Sequence, residues 1–248
     1  LVADIQYITP DWPAPARVRA LTTTRAGGAS VGPYASLNLG DHVGDDPDSV
    51  RRNRASLREA CGLPADPLWL RQVHGTAVVD AIKVVPGVEA DGAYTDTAGV
   101  VLAVLTADCL PVFLCDRRGA KVALLHAGWR GLSAGVIENG VRAFDVPGNG
   151  LVAWLGPAIG SDSYEVGDEV RAVFLGNDPG AAGAFRESGP GRWHADLYML
   201  ARRRLSALGI HAVHGGGFCT YRDSARFYSF RREHQTGRMA SLIWIDKG

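Results

Sequence analysis

The chain has 248 residues, of which 46% are hydrophobic and 21% charged, the proportions of an ordinary globular protein long enough for one large domain or two small ones. Lys plus Arg and Asp plus Glu both number 26, so a formal net charge of +0 provides no bulk field toward nucleic acid or an anionic membrane. Only a local basic pocket is compatible with that balance. The four cysteines, Cys61, Cys109, Cys115 and Cys219, have no C-x-x-C spacing and fit reduced thiols rather than a disulfide framework. The opening LVADIQYITPDWPAP lacks a basic stretch followed by an apolar core, and no apolar run reaches the roughly 18 residues of a membrane span. A cytoplasmic protein is expected.

In chain order, Val18 to Thr24 reads as an early strand, followed by RAGGASVGPYASLNLG, a loop of about 16 residues and so long enough to carry function. Asp46, Pro47 and Asp48 start a helix whose apolar positions include Val50, Leu57 and Cys61, and Gly62 stops it. Cys61 is expected to be a buried apolar residue. Leu68 to Val73 and Ala77 to Val85 are strand candidates, the second ended by Pro86-Gly87, and EADGAYTDTAG is polar and turn-rich. Val100 to Leu105 is an apolar strand. Leu132, Val136, Val141 and Phe144 mark one amphipathic helix ending at Pro147-Gly148, and Leu151 to Leu155 is a short buried strand. Gly156, Pro157 and Gly160 build a turn ahead of a helix from Val166 to Leu175, a place where an anion could sit, although the P-loop pattern is absent. Residues 177 to 191 read as a surface loop. Asp196 caps a helix bearing Leu197, Leu200, Leu205 and Leu208, and Gly209 ends it. A strand and loop follow in HAVHGGGFCTYRD, and a last apolar strand closes the chain. Interleaved strands and helices, with strands apolar on both faces, predict one α/β (α+β-like) domain whose central sheet is covered on both sides.

The stretch TADCLPVFLCDRRGAKVALLHAGWRG, residues 106 to 131, reads as a β-hairpin. With Arg117 and Arg118 as the loop, Asp116 faces Gly119 and Cys109 faces His126, with Cβ atoms about 4.5–5.5 Å apart. Pro111 or a bulge at Gly119 could shift that register by one. His74, at the Gly-bounded end of RQVHG, is the best third partner. Cys109, His126 and His74 would then be three protein ligands of a catalytic metal with an open fourth position, zinc by ligand softness, with copper accepting the same types. The same Cys109/His126 pair also reads as nucleophile and base in a cysteine hydrolase, with Asp108, on the opposite strand face, a poor orienter. His211, His214 and Cys219 lie in strand or loop, where their spacing does not place them on one face. Cys115 is expected in the core. Arg71 beside His74, Arg130 after the His126 strand, and the late Arg222, Arg231 and Arg232 offer guanidinium groups to an oxyanion or phosphate.

RQVHG at 71–75, TADCLPV at 106–112, HAGWRG at 126–131 and FYSFRRE through TGR at 227–238 together resemble the YfiH-type laccase-domain family of purine nucleoside enzymes. SLNLG at 36–40, the following HVGDDPDSVRRNR, and GPAIGSDSYEV at 156–166 extend the resemblance from about Leu21 to Ile245. It implies a zinc site made by His74, Cys109 and His126, which are also the catalytic residues, with Cu2+ as an alternative or adventitious metal. It implies a single α/β/β/α-layered domain over residues 1–248, similar to the catalytic domain of cytotoxic necrotizing factor toxins, in which a Cys/His pair deamidates glutamine. The activities it implies are phosphorolysis of adenosine, inosine and methylthioadenosine and deamination of adenosine. Other labels in the family are polyphenol oxidase and, for some bacterial relatives, peptidoglycan editing. Seven histidines without an H-x-H pair make a multi-copper laccase the least convincing of these. Substrate contacts are expected from Asn38, Arg71, Arg130 and Arg231. The partners expected are purine nucleosides and phosphate, not nucleic acid or membrane, with the chain a monomer or weak homo-oligomer.

Overall fold

A computed structural model describes residues 5–247. The chain runs through β1 (Tyr7–Ile8), β2 (Val18–Thr23), α1 (Pro47–Ala60), β3 (Val78–Asp80), β4 (Gly92–Thr95) and β5 (Leu102–Thr106). It continues as β6 (Leu110–Asp116), β7 (Val122–Ala127), α2 (Trp129–Ala134), α3 (Val136–Val141) and β8 (Leu151–Leu155). The last third holds β9 (Glu165–Gly167), α4 (Asp168–Asn177), β10 (Phe185–Gly189), β11 (Arg192–Ala195), α5 (Leu197–Ala207), β12 (Val213–Gly215), α6 (Phe230–Glu233) and β13 (Met239–Ile245). Among the described residues no helix is long and apolar enough to cross a membrane.

A six-stranded mixed sheet, in the order β12-β8-β6-β7-β4-β3, lies against a four-stranded antiparallel sheet, β1-β2-β13-β5. Period-two alternation on β6 and β7 explains the layering. Leu110, Val112 and Leu114 of β6, with Ala123 and Leu125 of β7, pack on Leu132, Ile137, Phe174 and Leu200 of the helices α2 to α5. Phe113, Cys115, Val122 and Leu124 face the other way and meet Leu102, Val104 and Ile243 of the second sheet. That sheet turns Leu21, Ala103, Leu105 and Leu242 toward Leu57 of α1. The layers are therefore α/β/β/α. Each fully buried leucine in them contributes about 1.5–3 kcal/mol of transfer free energy. A small third sheet, β10-β11-β9, flanks this stack.

Several elements depart from the sequence expectation for identifiable reasons. Leu68 to Val73 is no strand, having only isolated bridges at Leu68 and Arg71. The Gln72 side chain occupies the edge of β5 instead, accepting from Leu105 N at 2.7 Å and donating to Leu105 O at 2.8 Å. Within 77–85 only Val78–Asp80 forms a strand, because Asp80 caps a 3-10 turn at Ala81–Lys83. The polar stretch around residue 92 contains β4, where Gly92 lets Leu125 pack so closely that a Cβ would lie 2.7 Å from its Cδ2. The helix expected over 132–144 is two, broken at Gly135 with φ +104°. The loop expected at 177–191 holds a 3-10 turn, Pro179–Ala184, and β10, which turns through Gly191 at φ +68° to pair with β11.

The hairpin is present, but its loop runs from Arg117 to Ala120, with Asp116 N donating to Lys121 O at 3.2 Å and Gly119 at φ +66°. Pro111, not Cys109, lies opposite His126. The register is thus displaced by two residues from the expected one, and a slip of two leaves every side chain on its expected face.

Candidate functional site

The site lies at one end of the gap between the two sheets, where β5 ends, β6 begins and β7 passes into α2. Ligand atoms of His74, Cys109 and His126 all lie within 4.8 Å of one another, and among the described residues no other group of three or more His, Cys, Asp or Glu could hold a metal. Cys109 Sγ is 3.8 Å from His74 Nε2, and the two imidazole centroids are 4.8 Å apart at 72°. Bond lengths of about 2.0–2.1 Å to nitrogen and about 2.3 Å to sulfur fit a metal ion within such a triangle. His74 is exposed, Cys109 partly exposed and His126 buried, so one side remains open.

Two buried aspartates fix these donors. Asp91, immediately before β4, accepts the Nδ1–H of His126 at 2.8 Å, which leaves Nε2 for a metal. The same carboxylate accepts the backbone N–H groups of Val73, His74 and Gly75 at 3.2, 2.9 and 2.6 Å, holding His74 at a left-handed φ of +60°. Asp108, at φ +92°, performs the equivalent task beside Cys109. It accepts from Thr220 Oγ1 at 2.6 Å, Ser229 Oγ at 3.0 Å and Arg231 N at 2.7 Å, while its carbonyl accepts from Ile159 N at 3.0 Å. Two of the three non-glycine residues with positive φ among the described residues therefore lie at the site, each locked by hydrogen bonds.

The glycines of HAGWRG have steric work to do. A Cβ at Gly128 would sit 2.9 Å from Cys109 Sγ and 3.1 Å from His74 Cδ2, closing the space between the donors. A Cβ at Gly131 would sit 2.6 Å from Gly75 O, preventing α2 from approaching the RQVHG loop.

Electrostatics favours a thiolate facing an imidazolium when the protein groups are considered alone. Burial acts against the Cys109 thiolate, but the charge of His126 and hydrogen bonds from both histidines outweigh it and lower the thiol to about 6. Burial likewise disfavours charged His126, yet the Cys109 thiolate and Asp91 raise it to about 9. By contrast burial alone pushes Cys61 up to about 11, and burial with the charge of Asp116 pushes Cys115 to about 12. Depressed thiol pKa is the property that makes a cysteine a ligand or a nucleophile.

Above the donors opens a cavity of about 450 Å³ lined also by Gln72, Thr106, Trp129, Tyr164, Phe230 and the arginines 130, 231 and 238. The Arg130 guanidinium lies 4.5 Å from the Trp129 ring centroid, and that of Arg231 lies 5.2 Å from Tyr164 while its Nη1 donates to Glu165 O at 2.7 Å. None of the three arginines forms an ion pair with a carboxylate among the described residues. Arg71 and Asn38 lie elsewhere. Arg71 is ion-paired with Glu89 at the surface, and Asn38 is fully buried within its loop. Cys115 is in the core between the sheets. Residues that the sequence did not single out are Asp91, which looked like part of a turn, and Tyr164, Phe230 and Arg238, present in the motifs but with nothing in their types to mark them.

The multi-copper polyphenol oxidoreductase laccase family matches residues 19–246. A purine nucleoside phosphorylase of Pseudomonas aeruginosa is 55% identical over 242 residues, covering 96% of this chain and 98% of its own. The purine nucleoside phosphorylase YfiH of Escherichia coli is 50% identical, with 97% of this chain and 99% of that protein covered. A Neisseria meningitidis crystal structure superposes with a TM-score of 0.93 at 51% identity, covering 97% of this chain and 99% of that one. Geobacillus stearothermophilus YlmD gives a TM-score of 0.88 at 34% identity, over 94% and 93% of the two chains. With its sequence and fold matched along nearly its whole length, the chain belongs to the YfiH-type laccase-domain family.

Proposed function

We propose that the chain is a zinc-dependent purine nucleoside phosphorylase, cleaving adenosine, inosine and methylthioadenosine, that also deaminates adenosine, with the whole chain acting as one catalytic domain. The observation that carries this reading is the convergence of a sulfur and two imidazole donors beneath a cavity rimmed by arginines without carboxylate partners and by aromatic rings. The names of the relatives, purine nucleoside phosphorylase, support it.

His74, Cys109 and His126 would hold the metal, and softness of the set favours zinc, with copper as the alternative. Zinc when bound supplies a Lewis acid and acidifies water toward a pKa of about 7, the chemistry that hydrolytic deamination at adenine C6 requires. Tyr164, Trp129 and Phe230 offer flat faces to a purine, and Phe230 is 51% exposed, so its ring is available for stacking. The cavity arginines would hold phosphate against the sugar C1′. There a phosphate oxygen forms the new bond as the glycosidic bond breaks and the purine leaves with its electron pair. Asp91 keeps the His126 ring in one tautomer and orientation throughout.

A second reading has its own observation. Asp91, His126 and Cys109 are arranged as orienter, base and nucleophile, which a cysteine amidase or muropeptide-editing hydrolase would use without any metal. His74, whose imidazole such a triad does not need, argues for the metal. Incubation of adenosine with and without phosphate separates the readings. Adenine and ribose 1-phosphate formed only with phosphate, and inosine formed in either case, are expected. Full turnover by protein stripped of metal contradicts the zinc reading and favours the hydrolase.

A further inference from the structure

Arg238 differs from the other two cavity arginines in how it is held. It immediately precedes β13, and its backbone N–H donates to Asn38 Oδ1 at 2.9 Å, while its C=O accepts from Leu39 N at 3.1 Å. Asn38 Oδ1 also accepts from Gly40 N at 2.9 Å, and Asn38 Nδ2 donates to Gly40 O at 3.0 Å and Asp45 Oδ2 at 2.9 Å, so this buried amide is fully used between its own loop and Arg238. Gly40 in turn covers the arginine stem so closely that a Cβ there would lie 2.8 Å from Arg238 Cγ. The clamp continues to the guanidinium, whose Nη1 donates to Thr236 O and Gly237 O, both at 3.0 Å.

That arrangement fixes one corner of the guanidinium and leaves the other edge free. Among the described residues Nε and Nη2 of Arg238 donate no hydrogen bond and the guanidinium forms no ion pair; the Phe230 ring lies 5.8 Å from its Cζ, and Asp108 and Cys109 act on its charge only from a distance. The nearby His42 is held below its ordinary pKa by burial and by Arg238 itself, which favours its neutral form beside the guanidinium. A half-buried arginine that lines a cavity and keeps two adjacent N–H donors unused has what bidentate phosphate recognition requires.

We propose that the Nε–Nη2 edge of Arg238 is the anion anchor of the cavity and takes inorganic phosphate, with Asn38 a positioning residue that sets the arginine in place. The assignment rests on the phosphorylase reading, which makes free phosphate rather than a phosphate ester the ligand. It also accounts for the pairing of SLNLG with TGR, two motifs 200 residues apart that meet through the Asn38–Arg238 hydrogen bond.

The test is calorimetric titration of zinc-loaded protein with inorganic phosphate and, separately, with adenosine 5′-monophosphate, for the wild type, Arg238→Met and Arg238→Lys. Arg238→Met keeps the stem beneath Gly40 and is expected to weaken phosphate binding about ten- to hundredfold while leaving adenosine binding within about threefold. Arg238→Lys, which retains charge but not the fork, is expected to fall between and serves where Arg238→Met does not fold. Asn38→Ala is expected to raise KM for phosphate while KM for the nucleoside and kcat hold, a split that a purely structural role would not produce. Unchanged phosphate affinity in Arg238→Met, or a loss confined to the nucleotide, overturns the proposal. Product analysis keeps the two claims apart. Ribose 1-phosphate formed with unchanged phosphate KM in Arg238→Met defeats the anchor alone, whereas Arg238-dependent phosphate binding without phosphorolysis defeats the phosphorylase reading alone.

Discussion

On the floor of the cavity His74, Cys109 and His126 are short side chains at the ends of elements, aimed by buried carboxylates. On the rim Arg130, Arg231 and Arg238 reach in on long stems, steadied by rings and carbonyl oxygens. The floor uses backbone hydrogen bonds and positive φ at His74 and Asp108, and so tolerates little displacement. The rim holds its charges by stacking and stem packing, which permits adjustment to ligands of different outline. A metal needs its donors within a few tenths of an ångström, whereas a phosphate or a purine accepts a wider range of approach, and the two constructions follow those needs.

Breaking the floor should have the largest effect. His74→Ala leaves two donors, and metal content measured after dialysis is expected to fall from one per chain to background, with metal-dependent turnover lost. Retention of a full equivalent would mean that His74 is not a ligand. In protein stripped of metal, Cys109, lowered to about 6, is a thiolate at neutral pH, whereas Cys61 at about 11 and Cys115 at about 12 are thiols. Allowing for the weaker nucleophilicity of a low-pKa thiolate, Cys109 should be alkylated about a hundredfold faster than Cys61 at pH 7. Because the folded pKa is depressed, the labelling rate of Cys109 itself is at its plateau above pH 6 and declines as pH falls through it. Mass-spectrometric labelling rates between pH 4 and 8 measure it, and added zinc should protect Cys109.

Asp91→Asn keeps shape but removes the charge oriented at His126, and is expected to weaken metal affinity about ten- to hundredfold in a competition titration with a chelator. An unaltered affinity would reduce Asp91 to a loop brace. The smallest effect belongs to Arg130: Arg130→Met, at an exposed residue stacked on Trp129, should change KM by only about two- to fivefold with metal content intact. A loss as large as that of Asp91→Asn would mean that Arg130 is not held by stacking alone.

Much of the floor was legible because its residues are chemically conspicuous and sit in short, Gly-bounded motifs. Hairpin reasoning brought Cys109 toward His126 in a register two residues from the observed one, and survived because a slip of two preserves the face. Asp91 was not legible, since a carboxylate in a polar DG stretch looks like turn chemistry, and its partners at 73–75 and 126 are remote in sequence. Asn38 was expected at the substrate and is instead spent inside its loop, a role that only the Arg238 contact reveals. Gln72 replaced an expected strand with one side-chain amide bonded to Leu105, and Gly135 split an expected helix. In each case a single tertiary contact or one left-handed glycine overrode a local pattern that was otherwise consistent.

The most direct measurement is zinc-edge X-ray absorption on protein purified without added metal, with adenosine phosphorolysis assayed before and after chelation. The account predicts one zinc per chain bound by one sulfur at about 2.3 Å and nitrogens at about 2.0–2.1 Å, with phosphorolysis lost on chelation and restored by zinc. A protein that contains no metal and still converts adenosine and phosphate at its full rate would contradict it.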